Sequence, residues 1–335
     1  MTIENPEQGN IIGATTREAV ERAPQVAVPT SAALWRIRLG MWIKSLRQSW
    51  ILFAENPIGL IGLGLLLFFA LMAIAHPILM NTVWSRSVYH PFLGYDPSIP
   101  FHPAAPSARH LLGTDAIGRD VLSQLMFSTS SEFALGMVAA IVTVSIGTVI
   151  GAVSAYYGGI LDVFFMRLAD LVIMIPTIPL LIVLGAMFDL TLVSLGFILG
   201  ILSGFGGVTV IIKSQALTIK VKPYIEAARV AGGSDFHIIR SHLIPNLMPL
   251  SFLYMMFTAT NAIFSEAVLS TFGLLNIRMS WGLMIHTTQS TGYLLDFSRW
   301  WLVFPAGLAI TLLCMAFYLV GRAMDEVINP RLRRR

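Results

Sequence analysis

The passage Tyr224 to Asn246, YIEAARVAGGSDFHIIRSHLIPN, sets Glu226, Arg229, Asp235, His237, Arg240 and His242 between two long apolar runs. Its spacing suits contact rather than catalysis. Tyr224 to Ala231 reads as a helix that carries Glu226, Ala227 and Ala228. Gly232–Gly233 stops it, and Ser234 is an N-cap for a second helix with Asp235 in its first turn. Ile238, Ile239 and Leu243 form an apolar face there, and Pro245 and Pro249 begin the next apolar segment. Loops between spans are ordinarily short and polar. A helical insertion of about 33 residues, rich in charge, argues for a lever or docking surface.

The remaining polar groups are scattered. Glu266, in NAIFSEAVLSTFG, is the one acid deep in an apolar segment. With Asn261 and Pro176 it is a candidate for lining a pathway or gate; the alternative is a satisfied residue at an interface. Arg167 and Asp170, spaced i, i+3, can pair at the start of a segment, and snorkelling makes a structural role the better reading. His90, His102 and His110 share one loop, but their spacing matches no metal template. Cys314 stands alone in an apolar run, which excludes an intrachain disulfide. There is no H-E-x-x-H, no G-x-S-x-G and no Gly-Lys dipeptide, so no P-loop. The chain is expected to bind no cofactor, to hold no metal and to catalyse no reaction. No basic stripe interleaved with aromatics supports nucleic-acid binding, although the sequence pI is about 9.4.

These residues are positioned by a membrane scaffold. Of the 335 residues only 12% are charged and 56% are hydrophobic, about half the charge of a soluble domain. Six runs are long enough to span a bilayer: 57–80, 133–157, 163–188, 190–212, 247–271 and 300–320. In the third, Pro176 and Pro179 free backbone groups that lipid cannot satisfy, which predicts a kinked and buried helix. In the fourth, Gly196, Gly200 and Gly204 form a small-residue face, either for a neighbouring span or for a second subunit. Residues 35–50 place Trp35, Leu39, Trp42, Ile43, Leu46 and Trp50 on one face, as in an interfacial helix in contact with membrane lipids. Residues 1 to about 32 read as a flexible tail without a signal-peptide h-region. Lysine and arginine divide 17 to 5 between the two sides. This puts both termini and the Tyr224–Asn246 passage in the cytoplasm and the loops 81–132 and 272–299 outside.

The passage EAARVAGGSDFHIIRSHLIP resembles the EAA loop of binding-protein-dependent ABC importers, with Glu226, Ala227, Ala228, Gly232 and Pro245 in place. His242, where the general pattern has Ile, points to the peptide-importer branch. ENPIGLIGL (55–63), HLLGTDAIGRDVLSQL (110–125), YYGGILDVFFMRLADLVIMIP (156–176) and NPRLR (329–333) are similar to that branch. The resemblance runs from about residue 35 to the end. The chain departs from it in SGFGGVTVIIKS, which has only Lys213 as a basic counterpart. It departs again in FSTSSEF, which carries Glu132 where a basic residue is usual before the second span.

The resemblance implies an all-α permease subunit of the dipeptide, oligopeptide and nickel importers, the shorter-looped of a permease pair. It implies a second related permease, two cytoplasmic ATPases that bind the ATP and magnesium, and an extracytoplasmic substrate-binding protein, all at the inner membrane. Transport would be by alternating access, with peptides as substrate and oligosaccharides or nickel as alternatives. A stand-alone secondary transporter is the remote rival, against which stand the lack of a repeat and the few deep charges. Glu226, Ala227, Ala228, Gly232, Ser234, Asp235, Arg240 and Pro245 would couple to the ATPase. The expected organisation is a tail over 1–33, an interfacial helix over 34–56, a first span over 57–80 and an outer loop over 81–132. The permease domain follows over 133–321, with its EAA loop at 213–246, and then a basic tail over 322–335.

Overall fold

The computed structural model describes Arg47 and residues 50–328. The tail expected over 1–33, nearly all of the interfacial helix over 34–56, and residues 329–335 of the basic tail lie outside the described residues. Two units are distinguished, Met1–Ile51 and Leu52–Arg335. Of the first, the described residues Arg47, Trp50 and Ile51 are all exposed.

The second unit is helical, and among its described residues no strand forms. Among the described residues five helices are long and apolar enough to cross a membrane, or six if a bent pair counts as one span. Helix α1 is Pro57–Thr82; Asn56 Oδ1 caps it by accepting from Ile58 N at 2.9 Å and Gly59 N at 3.1 Å, with Pro57 at the first helical position. A single turn, α2, covers Arg86–Tyr89. Helix α3 is Val121–Tyr157. It begins twelve residues before the expected start at Phe133, so the end of the expected outer loop is helix. Ser123, Gln124, Ser128, Thr129 and Glu132 are buried polar residues of that helix. Ser128 and Thr129 donate to the carbonyls of Gln124 and Leu125, four residues back, which lets a polar stretch stay helical inside protein.

The bent pair is α4, Gly159–Met174, and α5, Thr177–Met187, which meet at 78°. Pro176 cannot continue the hydrogen-bond ladder, and Ile175 before it takes an extended conformation. The expected kink is therefore present, but the expected burial is not: only Ala169 in α4 and Leu181 in α5 are buried, and Pro176 is exposed. The backbone groups freed by the proline are absorbed as helix ends, with Ile175 N bonded to Val172 O at 3.2 Å, so enclosure by neighbours is not required.

Helix α6, Leu192–Ser203, runs through a π turn at Gly204–Val208 into α7, Thr209–Lys220. A Cβ on Gly196, Gly200 or Gly204 would come within 3.0, 2.6 or 2.9 Å of Val138, Val142 or Ile146 on α3. The small-residue face therefore packs within the chain. After α8 (Pro223–Val230) and α9 (Asp235–Ile238), a π turn at Ile239–Leu243 leads into α10, Ile244–Thr271. The expected fifth span is thus the far part of one continuous 37-residue helix, Asp235–Thr271. Pro245 lies inside it rather than at its start. The π turn tolerates this because Ile244 N bonds to Ile239 O, five residues back. Helix α11 is Trp281–Ser290, and α12, Phe304–Ile328, ends the described chain. Asn56 Nδ2 donates to Glu326, tying the start of α1 to the end of α12.

Candidate functional site

The eight expected coupling residues fall in one element at the end of the bundle where α3, α7 and α10 meet. Its inner face is apolar. Ile225, Ile238, Ile239 and Leu243 are buried in a cluster with Tyr156, Ile212, Ile219 and Leu247. Ile225 is the one buried residue of α8 and pins that short helix. The turn between α8 and α9 needs glycine: Gly232 has φ +83°, a region that other residues occupy only with strain. Gly233 N bonds back to Ala228 O at 3.0 Å. Ser234 caps α9 as expected, accepting from His237 N at 3.3 Å.

The outer face is polar with two apolar knobs. Glu226, Ala227, Arg229, Gly232, Ser234, Asp235, Arg240 and Pro245 are exposed, and Ala228 is half-buried. Val230 and Phe236, on either side of the glycines, are 83% and 69% exposed. Large apolar side chains held out beside a charged ring mark a contact surface more than a solvated loop. Neither was singled out by sequence reasoning, although both lie in the EAA passage and off its apolar face.

The seat beneath this element is Tyr156, at the last turn of α3. Its hydroxyl donates to Asp235 Oδ1 at 2.7 Å. The Arg229 guanidinium lies 5.8 Å from the centre of its ring. Lys220 Nζ donates to the carbonyls of Ala155, at 3.0 Å, and Tyr156, at 2.7 Å, occupying acceptors at the carboxyl end of α3. Both short helices and α7 are thereby fixed to one helix end. The only sequence signal for Tyr156 was its place in the YYGG motif, and Lys220 gave none. Next to this seat, Lys213 forms an ion pair with Asp162 of α4 at 2.5 Å. Its angles fall outside those of a hydrogen bond, since Asp162 Oδ1 has no hydrogen-bond partner among the described residues.

The three pathway candidates are not brought together. Asn261 is on an exposed face of α10, and Pro176 is exposed at the α4–α5 break. Glu266 is fully buried and accepts from Ser270 Oγ. It is not a lone acid either, because Glu132 of α3 lies beside it, also fully buried. Arg167 and Asp170 pair at 3.4 Å on an exposed face, as their spacing suggested.

At the opposite end of the bundle, residues 110–120 form a polar knot. His110 bridges Asp96, 3.2 Å from Nε2, and Asp120, 2.8 Å from Nδ1. Asp115 accepts from Ile117 N and Arg119 N, each at 2.9 Å, and pairs with Arg119 Nε at 2.7 Å. Asp120 caps α3 through Ser123 N at 2.6 Å. Burial pushes the Asp96 carboxyl up, but donors from Ser98 and His110 and the charge of Arg109 outweigh it and hold the group at about 2. Burial dominates at Asp120 and raises it. His102 instead contacts Thr114 Oγ1 at 2.9 Å, and the His90 ring packs on Phe92.

Comparison with known proteins agrees with this architecture. Residues 147–334 match the family model for the inner membrane component of binding-protein-dependent transport systems. The chain is 30% identical over 296 residues to the dipeptide transport system permease protein DppC of Bacillus subtilis, covering 86% of each chain. It is 29% identical to the oligopeptide transport system permease protein OppC of the same organism, over 88% of this chain and 92% of that one. A putative peptide transport system permease protein of Brucella suis is 30% identical, over 82% and 88%.

Proposed function

Because the chain belongs to the inner membrane components of binding-protein-dependent transport systems, we propose that it is one half of the translocation pathway of an ATP-driven peptide importer. The peptide assignment follows the names of its relatives, which are dipeptide and oligopeptide permeases. A related permease supplies the other half. Two ATPases bind ATP and magnesium below, and a substrate-binding protein delivers peptide from the opposite face. The chain lies in the inner membrane with both termini on the ATPase side, and it performs no hydrolysis itself.

One observation carries this reading: the α8–glycine–α9 element. It offers Glu226, Arg229, Val230, Phe236 and Arg240 outward, while Ile225, Ile238 and Tyr156 seat it on the spans. ATPase closure moves this element. Because α9 runs without a break into α10, the motion reaches the membrane along one rigid helix, and alternating access follows. Glu226→Lys and Gly232→Pro should leave insertion intact while separating ATP hydrolysis from peptide uptake in proteoliposomes of the assembled complex. Wild-type uptake by both variants would refute the coupling assignment.

A further inference from the structure

Among the described residues Glu132 and Glu266 are the two acids enclosed between spans. Each is fully buried, one on α3 and the other on α10, side by side. Their polar surroundings are incomplete. Glu266 Oε1 accepts from Ser270 Oγ, which in turn accepts from Ser280 Oγ at 3.3 Å. Glu266 Oε2 and both oxygens of Glu132 have no partner among the described residues. The backbone N–H of Trp281 is turned towards Glu132 but does not reach it with hydrogen-bond geometry. Ser128 and Thr129, on the same helix as Glu132, give their hydroxyl hydrogens to their own backbone.

Charge compensation is missing as well. No ion pair among the described residues includes either acid. The titratable groups that face the pair are the two acids themselves and, from α12, the Cys314 thiol, which brings no positive charge. Two uncompensated carboxylates enclosed together would each carry a desolvation cost of several kcal/mol and would repel one another. An unpartnered buried oxygen is costly in its own right. One hydrogen carried on a carboxyl and given to its neighbour removes a charge and serves two of the orphaned oxygens. Acid pairs that share a hydrogen titrate as a unit.

We propose that Glu132 and Glu266 form a proton-binding site in which a single hydrogen clasps α3 to α10. These helices connect the two ends of the bundle, and α10 is continuous with the coupling element. Loss of the hydrogen at alkaline pH leaves two facing charges and loosens the clasp. Stability of the chain therefore falls as pH rises.

The test uses the full chain within its membrane complex. Glu132→Gln keeps a donor towards Glu266 but cannot release it as a proton. An infrared difference spectrum of wild type minus Glu132→Gln should contain the carbonyl band of a protonated carboxylic acid, shifted in D2O. Wild-type thermal stability should drop as pH is raised into the alkaline range, and Glu132→Gln should lose most of that drop while keeping uptake within about twofold. Glu132→Asp, which retains an acid at that place, should retain the alkaline drop. A spectrum with no protonated-carboxyl band would overturn the proposal. So would an alkaline drop unchanged in Glu132→Gln, or stabilisation of the wild type by sodium in place of the proton.

Discussion

Removing one oxygen, in Tyr156→Phe, is the sharpest probe of how the coupling element is joined to the spans. The hydroxyl donates to Asp235 Oδ1 at 2.7 Å, a length typical of bonds to a charged acceptor. Bonds to charged groups are worth about 1.5–3 kcal/mol. Asp235 is exposed, so water replaces part of what is lost, and a net cost of about 1 kcal/mol follows. That changes the equilibrium between a seated and an unseated element about fivefold. Phenylalanine keeps the ring beneath Arg229, and the Lys220 bonds go to backbone oxygens, so packing and helix end are unchanged. The assay is ATP hydrolysed per peptide imported by the reconstituted complex. Tyr156→Phe should raise that ratio several-fold with normal membrane abundance. Asp235→Ala should do the same, and the double variant should be no worse than either single change, with a coupling energy of about 1 kcal/mol. Strictly additive effects, or a wild-type ratio in Tyr156→Phe, would refute the assignment of Tyr156 as the joint.

Other sites give independent expectations. Gly200→Val places a Cβ 2.6 Å from Val142 Cβ and 2.9 Å from Ala139 O; overpacking of this kind costs about 1–3 kcal/mol and should lower melting temperature and membrane abundance. Gly232→Ala meets open space but has φ +83°. The left-handed region costs a non-glycine residue about 1–2 kcal/mol, so hydrogen exchange over 224–245 should quicken while the rest of the chain is unaffected. Asp96 is held at about 2, below the ordinary aspartate value of about 3.9. Its stabilisation is present above about pH 4 and is lost as pH falls towards 2. Proteolysis of the 86–120 region should accelerate across that window in wild type, and Asp96→Asn should flatten the change. Asp120, raised by burial, acts with the opposite sign.

The apolar runs were legible as spans because twenty consecutive apolar residues have few other uses. Their ends were not. Val121 to Glu132 reads as loop by composition, yet Ser128 and Thr129 bond to their own helix and are buried, and other partners come from far along the chain, as with Trp281 Nε1 on Leu125 O at 3.0 Å, 156 positions away. The glycine turn and the Ser234 cap were readable because they are local chemistry. Proline at 176 foretold a break, since a missing N–H is a local fact; how much protein surrounds it is not local. The pairing of Glu132 with Glu266 joins residues 134 positions apart in the sequence, and no periodicity records it. Tyr156 is hidden for the same reason, its partner being Asp235.

The glycine ridge on α6 also locks part of the molecule mechanically. Three side-chain-free positions let α3 and the α6–α7 helix lie so close that sliding either would drive Val138, Val142 and Ile146 into backbone. These two helices must travel as one block. The bent α4–α5 segment buries only Ala169 and Leu181, and it is tied to that block by the Lys213–Asp162 ion pair and by Val172 and Ile173, which lie against Gly206. The pair therefore moves with the block through these few ties, while Phe164, Leu171 and Met174 on its outer side face whatever surrounds the chain in the membrane.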